Sequence, residues 1–269
     1  MKKSGTLHVV GSGITYLSDL TQAARACITA AEQVFYATVD ALASAHIHEL
    51  NANAQCLPAY LHDQPRTATY DLWTQIVMAA VREGQRVCLV AYGHPGVFAR
   101  VPHRVIRMAR EEGFQARMFP GISALAHLFA DLRVDPAEVG LQCFEATDFL
   151  IYARKFDPQQ ALILWQVSVI GVKGFQSEVN RQGLAVLQQT LLPCYGGEHR
   201  VTVYKASQLA FTPSHQQAVA LGCLHEADIP QLATLYIPPL DGAERLPIAE
   251  MMVKLGLTES SHGRTIIDQ

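Results

Sequence analysis

The sequence lacks several features that would settle a function at once. None of its six cysteines, at 27, 56, 88, 143, 194 and 223, forms a C-x-x-C pair. Neither a zinc ribbon nor a thioredoxin-like redox centre is therefore written in it. Most of them stand in apolar stretches such as "RVCLVAY", which reads as small buried hydrophobes carrying free thiols. The eleven histidines are scattered as well. His46 and His48 in "HIHEL" are two residues apart, a spacing that does not share a helix face. No H-E-x-x-H follows, so no metal site is expected. No apolar run is long enough to span a membrane. The opening "MKKSGTLHVV" has no long apolar core and no small-residue cleavage site, which makes the cytoplasm the expected location. Excess positive charge is missing too: 21 Lys and Arg against 24 Asp and Glu give a formal net charge of −3. That balance argues against a nucleic-acid surface. The local cluster Arg100, Arg104, Arg107 and Arg110 falls at i, i+3/i+4 spacing and reads as the wet face of an amphipathic helix.

What is present is a chain of 269 residues, 49% hydrophobic, long enough for two α/β domains. Its first half alternates strand and helix. "TLHVV" enters Gly11-Ser12-Gly13, and residues 18–33 follow as an alanine-rich helix with Ser18 as its expected N-cap. "VFYAT" is a strand, and "DALASAHIHELN" a helix capped by Asp40. Pro65 is expected at the first position of the helix carrying Arg66 to Arg82. "QRVCLVAY" is the next strand, "RVPHRVIRMAREEG" its helix with Gly113 as the stop, "FQARMFP" a further strand, and "GISALAHLFADL" another helix. Such alternation predicts a mostly parallel sheet with helices on both faces.

The helical pattern breaks at "RVDPAEVGLQ", which sets the expected boundaries: an N-terminal α/β domain over 1–136, a C-terminal α/β domain over 137–257, and a polar tail over 258–269. In the second half "CFEATDFL", "ALILWQV", "RVTVYKA", "QAVALGCL" and "ATLYIPPL" are strand candidates. A helix is expected across 176–192 and a short one after Asp228. Strands there follow one another with less helix between, so a mixed sheet is expected. The tail is expected to fray or to drape on a neighbour.

Two loops carry the functional signal. "VVGSGI" is a glycine turn at a strand's carboxyl end, where open α/β sheets bind ligands. It is not the dinucleotide fingerprint, because Tyr16 stands where the third glycine belongs. "AYGHPGVF" is far more specific. Its glycines flank His94-Pro95, giving a stiffened loop whose backbone can approach a ligand closely, with Val97 and Phe98 as an apolar wall.

A Gly-x-Gly after the first strand, a Y-G-H-P-G-V-F loop after a later strand and "PGISA" opening the next helix together resemble the tetrapyrrole methylase superfamily. The resemblance spans nearly the whole chain. It implies two α/β domains with S-adenosylmethionine held in the cleft between them and S-adenosylhomocysteine as product. Residue by residue, it assigns cofactor contacts to Gly11, Gly13, Tyr92, His94, Val97, Phe98, Ser123 and Ala124 in the first half. In the second half it assigns them to Gln166, Tyr204, Ala206 and Thr234.

A second constellation, Tyr60, Arg66, Tyr70 and Tyr92, is similar to that of the borosin (omphalotin-type) peptide backbone α-N-methyltransferases. Taken singly, each is an ordinary core tyrosine or surface arginine. The borosin resemblance implies methylation of backbone amides of a ribosomal precursor peptide. Because the chain stops soon after "KLGL", it implies the split type, with the precursor supplied in trans. It also implies a homodimer, or a heterotetramer with the precursor. Other readings compatible with the fold are a tetrapyrrole or other small-molecule methyltransferase, and a module that binds the cofactor without catalysis.

The chemistry of the four side chains suits the borosin reading. An amide nitrogen is a poor nucleophile because its lone pair is delocalised into the carbonyl. Methylating it requires removal of the N–H proton and stabilisation of charge on the oxygen. Arg66 and Tyr70 are i, i+4 neighbours, and a permanent cation beside a phenol favours the phenolate. Tyr70 is thus expected to help take the proton, Tyr60 to donate to the developing imidate oxygen, and Tyr92 to position the amide.

Overall fold

The computed structural model describes residues 4–37, 41–60, 64–172, 174, 178–240 and 249–256. Its strands form two five-stranded sheets, the first ordered β3-β2-β4-β1-β5. These are β1 (Thr6–Gly11), β2 (Gln33–Ala37), β3 (Ala54–Cys56), β4 (Arg86–Ala91) and β5 (Gln115–Met118). All neighbours in it run parallel. The period-2 alternation of apolar side chains divides the strands between two helical layers. Leu7, Val9, Phe35, Val87 and Leu89 face α3 (Arg66–Arg82) and α4 (Arg100–Glu111). Val10, Val34, Tyr36, Cys88 and Val90 face α1 (Gln22–Ala30) and α2 (Ala41–Leu50).

Helix α4 buries Val101, Val105, Ile106 and Ala109. Arg100, Arg107 and Arg110 are exposed, while Arg104 is half-buried and pairs with Asp71 on α3. Gly113 stops the helix with φ +85°, and the chain returns through a hydrogen bond from Phe114 N–H to the Ala109 carbonyl at 2.8 Å.

The first sheet connects through α5 (Ala124–Leu132) and the short α6 (Pro136–Val139) to the second sheet. That sheet contains β6 (Leu141–Glu145), β7 (Ala161–Trp165), β8 (Arg200–Lys205), β9 (His215–Ala220) and β10 (Thr234–Ile237), in the order β6-β7-β10-β8-β9. It is mixed: β6 and β7 are parallel, while the other neighbouring pairs are antiparallel. One face packs with α7 (Ala146–Ile151) and α8 (Arg181–Tyr195) around Leu162, Leu164, Leu184 and Leu187. The other face, with Ile163, Trp165, Tyr204 and Ala206, meets Ile14, Tyr92 and Leu128 of the first half. Helix α5 therefore lies between the two sheets.

Several boundaries differ from the sequence expectation, each for a local reason. Helix α1 begins at Gln22, because Thr21 rather than Ser18 is its cap and accepts from Ala24 N–H. Pro65 sits one position before α3, at the N-cap, not inside it. The strand read through "CFEATDFL" ends at Glu145, whose carboxylate accepts from Asp148 N–H and starts α7. The helix expected over 176–192 is α8, entered through an Asn180 cap. No helix forms between Asp228 and β10; instead a 3-10 helix, Leu221–Glu226, precedes Asp228 and shortens the strand read in "QAVALGCL". The cysteines are not uniformly buried, since Cys56, Cys194 and Cys223 are exposed. Asp40 and the tail 258–269 lie outside the described residues.

Candidate active site

Because the first sheet is parallel, all its strands deliver their following loops to one edge. Three loops meet there through glycine. Gly13 and Gly93 form an isolated antiparallel bridge, with Gly93 N–H donating to the Gly13 carbonyl at 3.0 Å and Gly13 N–H to the Gly93 carbonyl at 3.3 Å. A Cβ on Gly11 would stand 2.0 Å from the Gly93 oxygen, and one on Gly121 only 3.0 Å from it. Gly13 has φ +74°, and a Cβ there would lie 2.0 Å from the Asp19 Cβ. The side-chain-free surface of Gly11 is thus taken up by the Gly93 loop, and that of Gly13 by the Asp19 turn of its own loop. Such packing is enough to require both residues.

The Y-G-H-P-G-V-F loop is braced from within. His94 Nδ1 accepts from Gly96 N–H at 2.9 Å, and the Nε2–H of His103, on α4, donates to the Gly96 carbonyl at 2.9 Å. Val97 is half-buried beneath the turn. Phe98 is 48% exposed with φ 49°, and its ring centroid lies 5.1 Å from that of Trp165 at the end of β7. The next residue, Gln166, is also left-handed, at φ 60°. Two non-glycine residues in this costly backbone region therefore stand together where the sheets meet, as strained residues do at functional sites.

Ser123 is the N-cap residue of α5 and makes no side-chain cap bond, so its hydroxyl is not spent on the helix; Ala124 packs into the layer between the sheets. Ala206 and Thr234 are buried. Tyr204 is fully buried and donates its hydroxyl to Asp131 Oδ2 on α5 at 2.7 Å. Burial, then that bond to Asp131, push the Tyr204 phenol far above its ordinary value. Its side chain is thus a tie between the second sheet and α5. Tyr204→Phe is expected to cost about 1–2 kcal/mol, the worth of a hydrogen bond to a charged, partly exposed acceptor. The check is the midpoint shift in urea unfolding at unchanged slope.

A second group forms further along the edge. Tyr60 and Tyr70 stand at 6.2 Å between ring centroids, with Trp73 5.4 Å from Tyr60 and 6.0 Å from Tyr70. Trp73 is held by its own N–H, which donates to the Pro58 carbonyl at 2.8 Å. Arg66 directs Nε to the Gly174 carbonyl at 2.8 Å. Burial raises the Tyr60 phenol far above its usual value, helped by the neighbouring Tyr70 and a hydrogen bond with it; the Arg66 guanidinium opposes this only weakly. Tyr60 is therefore a neutral donor at ordinary pH.

Tyr92 belongs to a different cluster, packed with Ile14, Trp165 and Tyr204. It also lines a small surface cleft with Ser12, Tyr16, Ala43 and His46. The loops after β3 and β4 leave the same edge two strand spacings apart, roughly 10 Å. The structure thus brings Tyr60, Arg66 and Tyr70 together directly, and brings Tyr92 to the same edge in another group.

Four side chains escaped the sequence reading: Trp73, Trp165, Asp19 and His127. Trp73 had a signal, being i+3 from Tyr70 on one helix face. The others act through contacts between distant segments.

The family model for Tetrapyrrole (Corrin/Porphyrin) Methylases matches residues 6–206. A methyltransferase/ribosomally synthesized cyclic peptide gymnopeptides precursor of Gymnopus fusipes is 37% identical over 95% of this chain and 62% of that protein. The corresponding omphalotin A precursor of Omphalotus olearius is 36% identical over 88% of this chain and 58% of that protein. A type I borosin cyclic peptide precursor of Coprinopsis marcescibilis is 34% identical over 96% of this chain and 68% of that protein. The chain thus spans about three-fifths to two-thirds of the length of these relatives. Among solved structures, uroporphyrin-III-C-methyltransferase from Thermus thermophilus superposes with a TM-score of 0.64 at 18% identity, covering 91% of this chain and 98% of that one. At that identity the likeness speaks to fold alone. On the matched span and these identities, the chain belongs to the tetrapyrrole methylase family and is related within it to the borosin methyltransferase/precursor proteins.

Proposed function

We propose that the chain is an S-adenosylmethionine-dependent methyltransferase acting on backbone amide nitrogens of a ribosomal peptide offered as a separate chain. The observation that carries this reading is the Tyr60–Arg66–Tyr70 group at the carboxyl edge of the parallel sheet. The relatives' names, each pairing a methyltransferase with a ribosomal peptide precursor in one protein, support a methyltransferase with a ribosomal peptide as its acceptor.

The residues around the gap between the sheets fit the cofactor. They offer an exposed phenyl ring at Phe98 and the small buried Ala206 and Thr234. An aromatic face attracts a cation such as a sulfonium, and small residues leave room for a purine. Gly11, Gly13, His94, Val97, Phe98, Ser123, Ala124, Gln166, Tyr204, Ala206 and Thr234 are assigned to that gap, several of them through backbone atoms. When bound, the cofactor supplies an electrophilic methyl group.

The chain's own residues make the amide reactive. Tyr60, held neutral by burial, donates to the amide oxygen as charge gathers there. Tyr70, acting in its phenolate form, takes the N–H proton directly or through a water and becomes the phenol as the nitrogen gains the methyl group. Arg66, steadied by the Gly174 carbonyl, keeps positive charge beside both phenols. Tyr92 sets the amide against the methyl group. The working unit in this reading is a homodimer.

The test pairs calorimetry with mass spectrometry. The protein is expected to bind S-adenosylmethionine and to add 14-dalton increments to the backbone of a co-expressed peptide with an apolar core. No binding at millimolar ligand, or methylation of a uroporphyrinoid with the peptide untouched, overturns the reading.

A further inference from the structure

We infer that Asp19 and His127 are positioning residues that lock the loop after β1 into the shape the methyl-transfer site requires. The inference rests on the methyltransferase reading but uses side chains that reading leaves idle. Asp19 is 6% exposed. Its Oδ2 accepts from Ile14 N–H at 2.9 Å, from Thr15 N–H at 2.8 Å and from Nε2–H of His127 at 2.6 Å. One oxygen thus gathers three donors from two elements, the loop and α5. A carboxylate withdrawn from water needs such partners, and here the partners are the backbone that has to be fixed.

The same short stretch holds the sheets to each other. Thr15 Oγ1 donates to the Ser207 carbonyl at 2.9 Å, and Tyr16 N–H to the Gln208 carbonyl at 2.8 Å. Ser207 and Gln208 follow β8 in the second sheet. On its other side the loop pairs Gly13 with Gly93, the residue after Tyr92. A line of contacts therefore runs from His127 through Asp19 and residues 13–15 to Tyr92, with a branch across the gap to Ser207. Loosening its anchor frees both the glycine loop assigned to the cofactor and the spacing of the sheets. Neither residue reaches the Tyr60–Arg66–Tyr70 group, which belongs to α3 and the loop after β3, so their effect is on binding and alignment.

The experiment compares His127→Ala, His127→Gln, Asp19→Ala and Asp19→Asn in the full chain. His127→Ala is expected to raise KM for S-adenosylmethionine about tenfold or more, the worth of a lost charge-assisted hydrogen bond, with kcat changed less than about threefold. His127→Gln supplies an N–H in place of Nε2 and is expected to restore KM to within about threefold. Asp19→Asn keeps one oxygen for the loop and is expected to fall between wild type and Asp19→Ala. Should Asp19→Ala fail to fold, the pair at His127 carries the test. Hydrogen exchange gives a readout independent of activity: segments 13–20 and 206–210 are expected to exchange about tenfold faster in His127→Ala and to recover in His127→Gln. An unchanged KM, a fall confined to kcat, no rescue by Gln, or unchanged exchange overturns the inference. Wild-type protein that binds no S-adenosylmethionine overturns the methyltransferase reading instead, and the exchange result still judges the anchor.

Discussion

Gly11→Ala and Gly13→Ala are each expected to destabilise the fold by about 2–4 kcal/mol and to weaken binding of S-adenosylmethionine, while Gly113→Ala costs only about 1 kcal/mol. The three differ in what a methyl group would meet. At Gly113 φ is +85° but nothing lies within 4 Å of an added Cβ, so only the left-handed backbone penalises alanine. At Gly11 the backbone is not left-handed, but the new carbon would stand 2.0 Å from the Gly93 carbonyl oxygen. That atom is backbone in the next loop and cannot swing aside, so the loops must part. Gly13 combines both penalties, with φ +74° and a contact at 2.0 Å to Asp19. Urea unfolding of the three variants separates strain from collision. Equal losses at Gly11 and Gly113 would show that the loops are not held in this contact. Because Gly93 adjoins Tyr92, the collision variants also displace the groups set around that tyrosine.

These glycines illustrate which parts of the molecule were legible in the sequence. The parallel sheet was readable because strand and helix patterns alternate through the first half, from "TLHVV" to "GISALAHLFADL". The glycine-rich loops were readable as places of close backbone approach. Their immediate neighbours were not, because Gly11 meets Gly93 only once separate loops fold together and Gly13 meets Asp19 only once the loop after β1 turns back on itself. Local competition explains the misplaced helix starts. Ser18 has the chemistry of a cap, but Thr21 has the right offset from Ala24, and residues 14–19 are committed to the Asp19 turn. Tyr60, Arg66 and Tyr70 could be singled out through the borosin resemblance, with which the i, i+4 spacing of Arg66 and Tyr70 agrees. Trp165, 67 positions beyond Phe98 in the chain, comes against it only through the meeting of the two sheets. Asp19 and His127, 108 positions apart, were invisible for the same reason: no local pattern marks a carboxylate and an imidazole that meet across a fold.

Tyr70→Phe is expected to lower peptide methylation by about 10²–10³-fold while leaving affinity for S-adenosylmethionine within about twofold. Removal of a positioned proton acceptor, the role proposed for Tyr70, commonly costs that much in rate, and Tyr70 packs with the α3 and α4 side of the first sheet while Trp165 packs in the layer between the sheets. Tyr60→Phe should also slow transfer, for a different reason. Burial and Tyr70 hold the Tyr60 phenol protonated well past the ordinary range, with Arg66 pulling the other way too weakly to reverse it. A group whose proton is held this firmly loses its donor only at strongly alkaline pH. The rate of the wild type should therefore show no fall from Tyr60 ionisation below about pH 10, and Tyr60→Phe should lower the rate without reshaping its pH profile. Arg66→Lys keeps a charge but not the planar donor that meets the Gly174 carbonyl, so it should recover only part of what Arg66→Ala loses. Mass spectrometry of the peptide product measures each rate, and calorimetry supplies the binding control. Full methylation by Tyr70→Phe and Arg66→Ala alike would move the proton acceptor elsewhere on the sheet edge. Parallel losses of methylation and donor binding would instead make the group part of the cofactor site.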